Sequence, residues 1–334
     1  MKLRKLSTLL GAAVLSATAM SVHAEDVDYV LNTASTGGTY HPVGTAIATL
    51  SKVKLLPKQK FSLTAVNSAG SGANVQALAA NTAQFAILQG LYGSYAATGT
   101  GPVSEPQTNM RAVSMLWQNV EQFILANDLV TNGTAGDLMA AKGKAVAMGK
   151  QNSGTLGSNK VLLTGLGVDF DSDFEFIHAG YGPSADAMAN GQAVAAGIPS
   201  GPPTSAVTKL MSANADKFTL LSVTDEEAAA MDGGRNLWTP YTIAAGTYPG
   251  IDSDVKTIAQ PNFLAVNADV DDEHVYLLTK TIYENLAFLQ AIHPATKAMD
   301  INAAMAGLPV PLHPGAAKYY KEAGLDIPDR LMAK

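Results

Sequence analysis

The sequence predicts an α/β protein of two domains, joined by two crossing strands and separated by a cleft. Three observations carry this. A strand, a polar glycine-rich turn and an amphipathic helix recur in that order along the chain. Apolar runs at residues 110–126 and 258–266 read as strands that leave the first set of units and return to it. The chain, roughly 310 residues after an N-terminal leader, is long enough for two medium domains at about 100–200 residues each.

Residues 27–31 read as the opening strand. The stretch Ser35-Thr-Gly-Gly-Thr-Tyr-His-Pro42 follows, and Val43, Ala46, Ile47 and Leu50 have helical spacing. Pro42 suits the first helical position, and Gly37-Gly38 either makes a tight turn alone or also lets the backbone approach a bound group. Residues 52–60 form a basic connector and residues 61–66 alternate as a strand. Residues 67–72 make a second glycine-rich turn, with Ser71 as N-cap of the next helix. A strand over 85–88 ends on Gln89, and residues 91–107, rich in Gly, Ser, Thr and Tyr, read as loop.

The second domain repeats the pattern, with turns at 149–157, 180–183 and 199–205. Each turn lies between a strand's carboxyl end and a helix start, the edge where open α/β sheets bind ligands. Residues 241–250 are turn-rich, 258–266 a strand broken by Pro261, 273–292 one long helix, and 316–324 a short one. The division expected is residues 1–24 as leader, 25–120 with 255–334 as a discontinuous first domain, and 121–254 as the second.

The leader has the form of a signal peptide. Lys2, Arg4 and Lys5 precede an apolar run over 9–20, and Val22-His23-Ala24 resembles a peptidase site, so cleavage is expected after Ala24 and the protein is expected in the periplasm. Its removal takes away three positive charges and no acidic ones, moving the formal net charge from −6 to −9. With no dense Lys/Arg block left, nucleic acid and anionic membrane surfaces are poor partners. The absence of cysteine excludes disulfides, thiolate metal sites and a Cys nucleophile.

Enzyme constellations are hard to find. The six histidines never pair at metal-ligand spacing, and Ser71 lacks the preceding glycine of a nucleophile elbow. Gly154-Thr-Leu-Gly157 lacks the Gly-Lys-Ser/Thr ending of a phosphate loop. The acidic residues at 225–227 and 269–273 read as solvated charges at helix starts, with cation binding the alternative. No catalysis, metal or cofactor is expected. Unpaired N–H groups at helix starts, beside hydroxyls of Thr36, Thr39 and Tyr40, instead outline an anion site. An exposed helix dipole contributes only about 0.3–1 kcal/mol, whereas micromolar binding needs about 8 kcal/mol. The ligand must therefore be enclosed between the domains, by hinge closure about the crossing strands.

Over essentially its whole mature length the chain resembles the TAXI-type solute-binding proteins of tripartite ATP-independent periplasmic (TRAP) transporters. The resemblance rests on the 35–42 motif, Gly70-Ser71 with Asn74, Gln89 ending its strand, and Ser153-Gly-Thr155. It continues through Ala245-Gly-Thr-Tyr-Pro-Gly250, Tyr283-Glu-Asn-Leu286, His293-Pro-Ala295 and Leu308-Pro-Val-Pro-Leu-His-Pro-Gly-Ala-Ala-Lys-Tyr-Tyr320. It implies a type II-like periplasmic binding protein, a monomer that holds a small organic anion such as glutamate or 2-oxoglutarate and delivers it to a sodium-driven TRAP membrane permease. Thr36, Gly38, Thr39, Tyr40, Asn74, Gln89, Ser153, Gly154 and Thr155 carry over as cleft residues. His41 and the 180–183 turn depart from the family pattern. No arginine lies in a matched motif, so neutral donors are expected to suffice. Lys318-Tyr-Tyr320 and residues 246–250 are read as structural. A receptor-linked sensor of the same ligand is the alternative role.

Overall fold

The structure, a computed structural model, describes residues 26–333; the leader and its cleavage site lie outside the described residues. The first sheet takes β1 (Val27–Asn32), β2 (Phe61–Val66), β3 (Phe85–Gln89) and β4 (Met110–Val120). The second takes β5 (Phe123–Ala126), β6 (Ala145–Ala147), β7 (Glu175–Phe176), β8 (Ala195–Gly197) and β9 (Phe218–Leu220). The chain then returns to the first sheet through β10 (Thr239–Ile243) and β11 (Val255–Asn267).

The first sheet has the order β10-β11-β3-β1-β2, with β4 also paired to β11. Here β1 is parallel to β2 and β3, while β11 runs antiparallel to β3, β4 and β10. The second has the order β7-β6-β8-β5-β9, with β6 parallel to β7 and β8, and β5 antiparallel to β8 and β9. Each sheet thus has a parallel centre joined to an antiparallel crossing strand. Every residue of β3 is buried, as expected of a strand covered on both faces.

Helices α1 (Tyr40–Lys54), α2 (Leu56–Gln59), α3 (Ser71–Ala79) and α4 (Gly90–Thr98) belong to the first unit, and α5 (Gly154–Gly165), α6 (Tyr181–Ala189), α7 (Ser205–Asn214) and α8 (Asp225–Asp232) to the second. The chain closes with α9 (Asp272–Glu284), α10 (Leu286–Ile292) and α11 (Pro314–Glu322), of which α9 and α10 pack on α1. One apolar cluster, including Leu31, Ile47, Phe61, Phe85 and Leu278, holds the first unit; two others, around Phe123 and Leu162 and around Ile124 and Val207, hold the second. Among the described residues no helix is long and apolar enough to cross a membrane.

Only Glu121 and Gln122 separate β4 from β5, and both are buried. The returning strand is tied to this junction: Glu121 N–H donates to Ile258 O (2.9 Å) and Thr257 Oγ1–H donates to Glu121 O (2.8 Å). Tyr248, in the 246–250 turn, is buried; its hydroxyl donates to Gln122 Oε1 and accepts from Thr204 N–H (2.9 Å). Tyr320 is likewise buried, with its hydroxyl on Val113 O (2.9 Å).

Several elements differ from the sequence expectation. Residues 90–98 are helical rather than loop, because their glycines allow close packing. A Cβ at Gly93 would collide with Pro309 Cγ and meet Phe263 Cε1 at 2.7 Å. Pro261 does not break its strand; it sits opposite Gln118, shortly before a register shift between Asn262 and Phe263. The helix expected over 273–292 is interrupted at Asn285. β10, within the stretch assigned to the second domain, pairs with β11 in the first sheet, yet Tyr241 and Ile243 pack on the second unit's core.

Candidate functional site

The cleft between the two units is narrow, with a cavity volume of about 30 Å³. Four helix starts meet at its walls, those of α1 and α3 from the first unit and of α5 and α6 from the second. Local sequence sets each start. Gly70 (φ +121°) and Gly149 (φ +117°) hold conformations that side chains rarely adopt, and they turn the chain from strand to helix. Ser153 caps α5, its Oγ accepting from Leu156 N–H (3.0 Å) and donating to Lys150 O (2.7 Å).

Among the described residues, the N–H groups of Tyr40, Ser71, Gly154 and Thr155 meet no acceptor. They are the orphan donors that a helix start exposes, and all lie at the cavity wall. The lining contains one cation, Lys150, and no Asp, Glu or Arg. Lys150 is half-buried and forms no ion pair among the described residues. One free ammonium, four helix starts and no opposing carboxylate make a site suited to a small anion.

Several polar side chains are committed to main-chain carbonyls across the cleft. Gln89 Nε2–H donates to Gly154 O (2.9 Å), Thr39 Oγ1–H to Gly201 O (2.9 Å) and Ser205 Oγ–H to Gly37 O (3.0 Å). Backbone bonds add to these, from Ala73 N–H to Asn152 O (2.9 Å) and from Ala206 N–H to Gly37 O (3.2 Å). The Tyr181 hydroxyl donates to Pro199 O (2.5 Å) and pairs with Thr155 Oγ1 (2.8 Å). Burial holds Tyr40 and Tyr181 far above the usual tyrosine pKa, so both stay neutral hydrogen-bonding groups. The two units are therefore in direct contact, as in a closed clamshell.

Of the predicted residues, Gly38, Thr39, Tyr40, Gln89, Ser153, Gly154 and Thr155 line the cavity. Thr36 is exposed and outside the lining. Asn74 is buried behind the wall, where its Nδ2 donates to Thr33 O (2.8 Å) and Ile87 O (2.9 Å) and ties α3 to the sheet. His41 faces Thr33 Oγ1 (3.1 Å) and is also outside the lining. Helix α1 starts at Tyr40 rather than Pro42, and Gly70 rather than Ser71 caps α3; the Ser71 hydroxyl instead accepts from Gln89 N–H (3.1 Å).

Sequence reasoning missed Lys150, Asn119 and Tyr181. Lys150, in the 149–157 turn, adds a cation to a lining expected to carry neutral donors alone. Asn119 carried no signal, because it sits in a strand assigned to the crossing. The acidic helix starts have capping roles. Glu227 completes a capping box with Thr224 and also accepts from Gly136 N–H (2.7 Å), and Asp271 caps α9.

Solved structures share this architecture at low identity. MatC from Rhodopseudomonas palustris, solved with bound malate, superposes with a TM-score of 0.55 at 13% identity, over 88% of this chain and 97% of that one. A protein from Bordetella bronchiseptica RB50 gives 0.53 at 13% identity, over 89% and 82%. The periplasmic binding protein BugD gives 0.52 at 15% identity, over 89% and 94%. The fold is thus that of periplasmic binding proteins. Residues 31–324 match the NMT1-like family, and the chain belongs to that family.

Proposed function

We propose that this chain is a periplasmic solute-binding protein that captures a small organic anion in the cleft and delivers it to a membrane permease. The observation that carries the reading is the charge of the lining, which has Lys150 and four helix starts on one side of the balance and no acidic side chain on the other. The cavity residues Gly38, Thr39, Tyr40, Gln89, Ser153, Gly154 and Thr155 act in two ways. Orphan backbone donors face the ligand, and side chains hold the walls together. Lys150 supplies the one full charge. That MatC, of the same fold, holds malate supports a carboxylate as the anion.

The finer assignment rests on the motifs at 35–42, 70–74, 153–155 and 308–320, which resemble TAXI-type subunits of TRAP transporters. On that reading the protein works as a monomer, exported by its leader, with residues 25–120 and 255–334 closing on residues 121–254.

The test is a thermal-shift screen on residues 25–334, unfolded and refolded to strip bound ligand, against C3–C6 carboxylates, amino acids, sugars and phosphate. A ligand that binds only the native state stabilises it by RT ln(1 + [L]/Kd). A shift with one or a few carboxylates is expected. A shift with a neutral sugar and none with any anion would refute the reading.

A further inference from the structure

One buried acid plays no part in the cleft described so far. Glu121, at the junction of β4 and β5, is 1% exposed. Its Oε1 accepts from Trp238 Nε1–H (2.9 Å), with Gln260 Nε2 at 3.5 Å, and its Oε2 is buried without a partner among the described residues. We propose that Glu121 is a proton-binding site coupled to anion capture, so that an anion entering the cleft brings a proton onto this carboxylate. The proposal rests on the anion reading of the cleft.

The charged groups around Glu121 leave it uncompensated. On the segment that carries Trp238, the Asp232 carboxylate accepts from the N–H groups of Asn236, Leu237 and Trp238, and Arg235 donates to Asp232 O (2.8 Å). On β11, Lys256 is exposed. From α1 and α6 the groups that feel its charge are Tyr40 and Tyr181, both neutral. In the cleft stands Lys150. No Lys, Arg or His bonds to Glu121 among the described residues. Burial therefore raises its pKa to about 7, against the lowering effect of the bonds from Trp238 and Gln260.

The link to the cleft is short. Asn119 lines the cavity two residues before Glu121, a step of about 7 Å along an extended chain. Tyr40 and Tyr181, which respond to the charge of Glu121, line it too. A negative charge within about 10 Å of Glu121, at an effective dielectric near 20, raises its proton affinity by about one pH unit or more. Anion affinity should then fall at least about tenfold as Glu121 ionises, and reciprocally each anion bound near pH 7.5 should take up roughly half a proton or more.

The experiment has two arms. In the first, Trp117→Phe leaves Trp238 as the sole tryptophan, and its emission is followed from pH 5 to 9 without ligand. A transition near neutrality is expected, and its loss on adding Glu121→Gln assigns it. In the second, acetate, malate, 2-oxoglutarate and L-glutamate are titrated calorimetrically at pH 7.5 in two buffers of different ionisation enthalpy. A buffer-dependent heat is expected for the wild type, and a buffer-independent one for Glu121→Gln. An absent Trp238 transition, or binding whose heat is the same in both buffers, overturns the proposal; both results come from protein that retains Glu121, whether or not Glu121→Gln folds. A clear transition with none of the four anions binding overturns the carboxylate reading, and the coupling with it.

Discussion

Gly72→Ala tests whether direct contact between the units holds the cleft shut. Gly72 lies in the first turn of α3 with an ordinary helical backbone, so alanine suits its conformation and improves its helix propensity by about 1 kcal/mol. What the added methyl meets first is the other unit, Asn152 O at 2.5 Å and Asn152 C at 3.0 Å, with Tyr92 Cε1 of its own unit at 3.1 Å. Asn152 is at φ +57°, and its carbonyl is held by Ala73 N–H. Relief requires the walls to part by roughly 0.7 Å or more if the new contact is to reach an ordinary carbon–oxygen separation. That displacement stretches the bonds from Ala73 N–H to Asn152 O and from Gln89 Nε2–H to Gly154 O, each 2.9 Å. At about 1 kcal/mol each, rising where a buried group is left unpaired, the closed state loses about 2–3 kcal/mol, or roughly 30- to 150-fold in affinity. The assay pairs small-angle scattering with calorimetry, and Gly182→Ala is the control, since a Cβ there meets nothing within 4 Å. A larger radius of gyration and weaker binding are expected for Gly72→Ala alone. If the two variants are indistinguishable, the contact does not govern closure.

Lys150→Gln removes a half-buried charge without an ion-pair partner among the described residues, so it should weaken anion binding by about tenfold or more while moving the melting temperature little; calorimetry and a melting curve check both. Asp137→Asn acts on stability alone. The Asp137 carboxylate accepts from Thr131, Asn132 and Gly133 N–H at 2.8 Å each. Burial works to raise its pKa, but these backbone donors outweigh it and hold the group below the usual carboxylate range. Its stabilising effect is therefore present above the unfolded pKa and disappears as pH falls through the depressed folded value. At pH 7 the variant should lose about 1–3 kcal/mol in urea denaturation, and the gap should close in strong acid.

The repeating order of strand, turn and helix was legible because period and punctuation agree in most units: residues 61–66 alternate, and residues 67–72 carry the glycines. It failed at residues 90–98, where Gly90, Gly93, Ser94 and Tyr95 have loop composition but fold as helix against Pro261, Phe263 and Pro309. That stabilisation is tertiary, and no local window contains it. In the site, the turns were legible and the roles within them were not. Asn74, in the first turn of α3, and Gln89, at the end of β3, are both polar residues of the recognised motifs, yet one ties α3 to the sheet and the other crosses the cleft. Which partner a side chain finds depends on how the two units meet, and the residues that meet are far apart in sequence.

The orphan donors of Tyr40, Ser71, Gly154 and Thr155 belong to the main chain, so ordinary substitution leaves them in place. An alanine scan of this wall would report mainly on how well the halves grip each other. A scan that enlarges glycines would behave differently, because a side chain at position 154 would intrude between Gln89 and Ser71, 2.7 and 2.9 Å away. Ligand preference can therefore drift through the bulk of a few small residues while the donors themselves persist. Sequence divergence would then erase the identity of the bound molecule well before it erased the capacity to bind an anion.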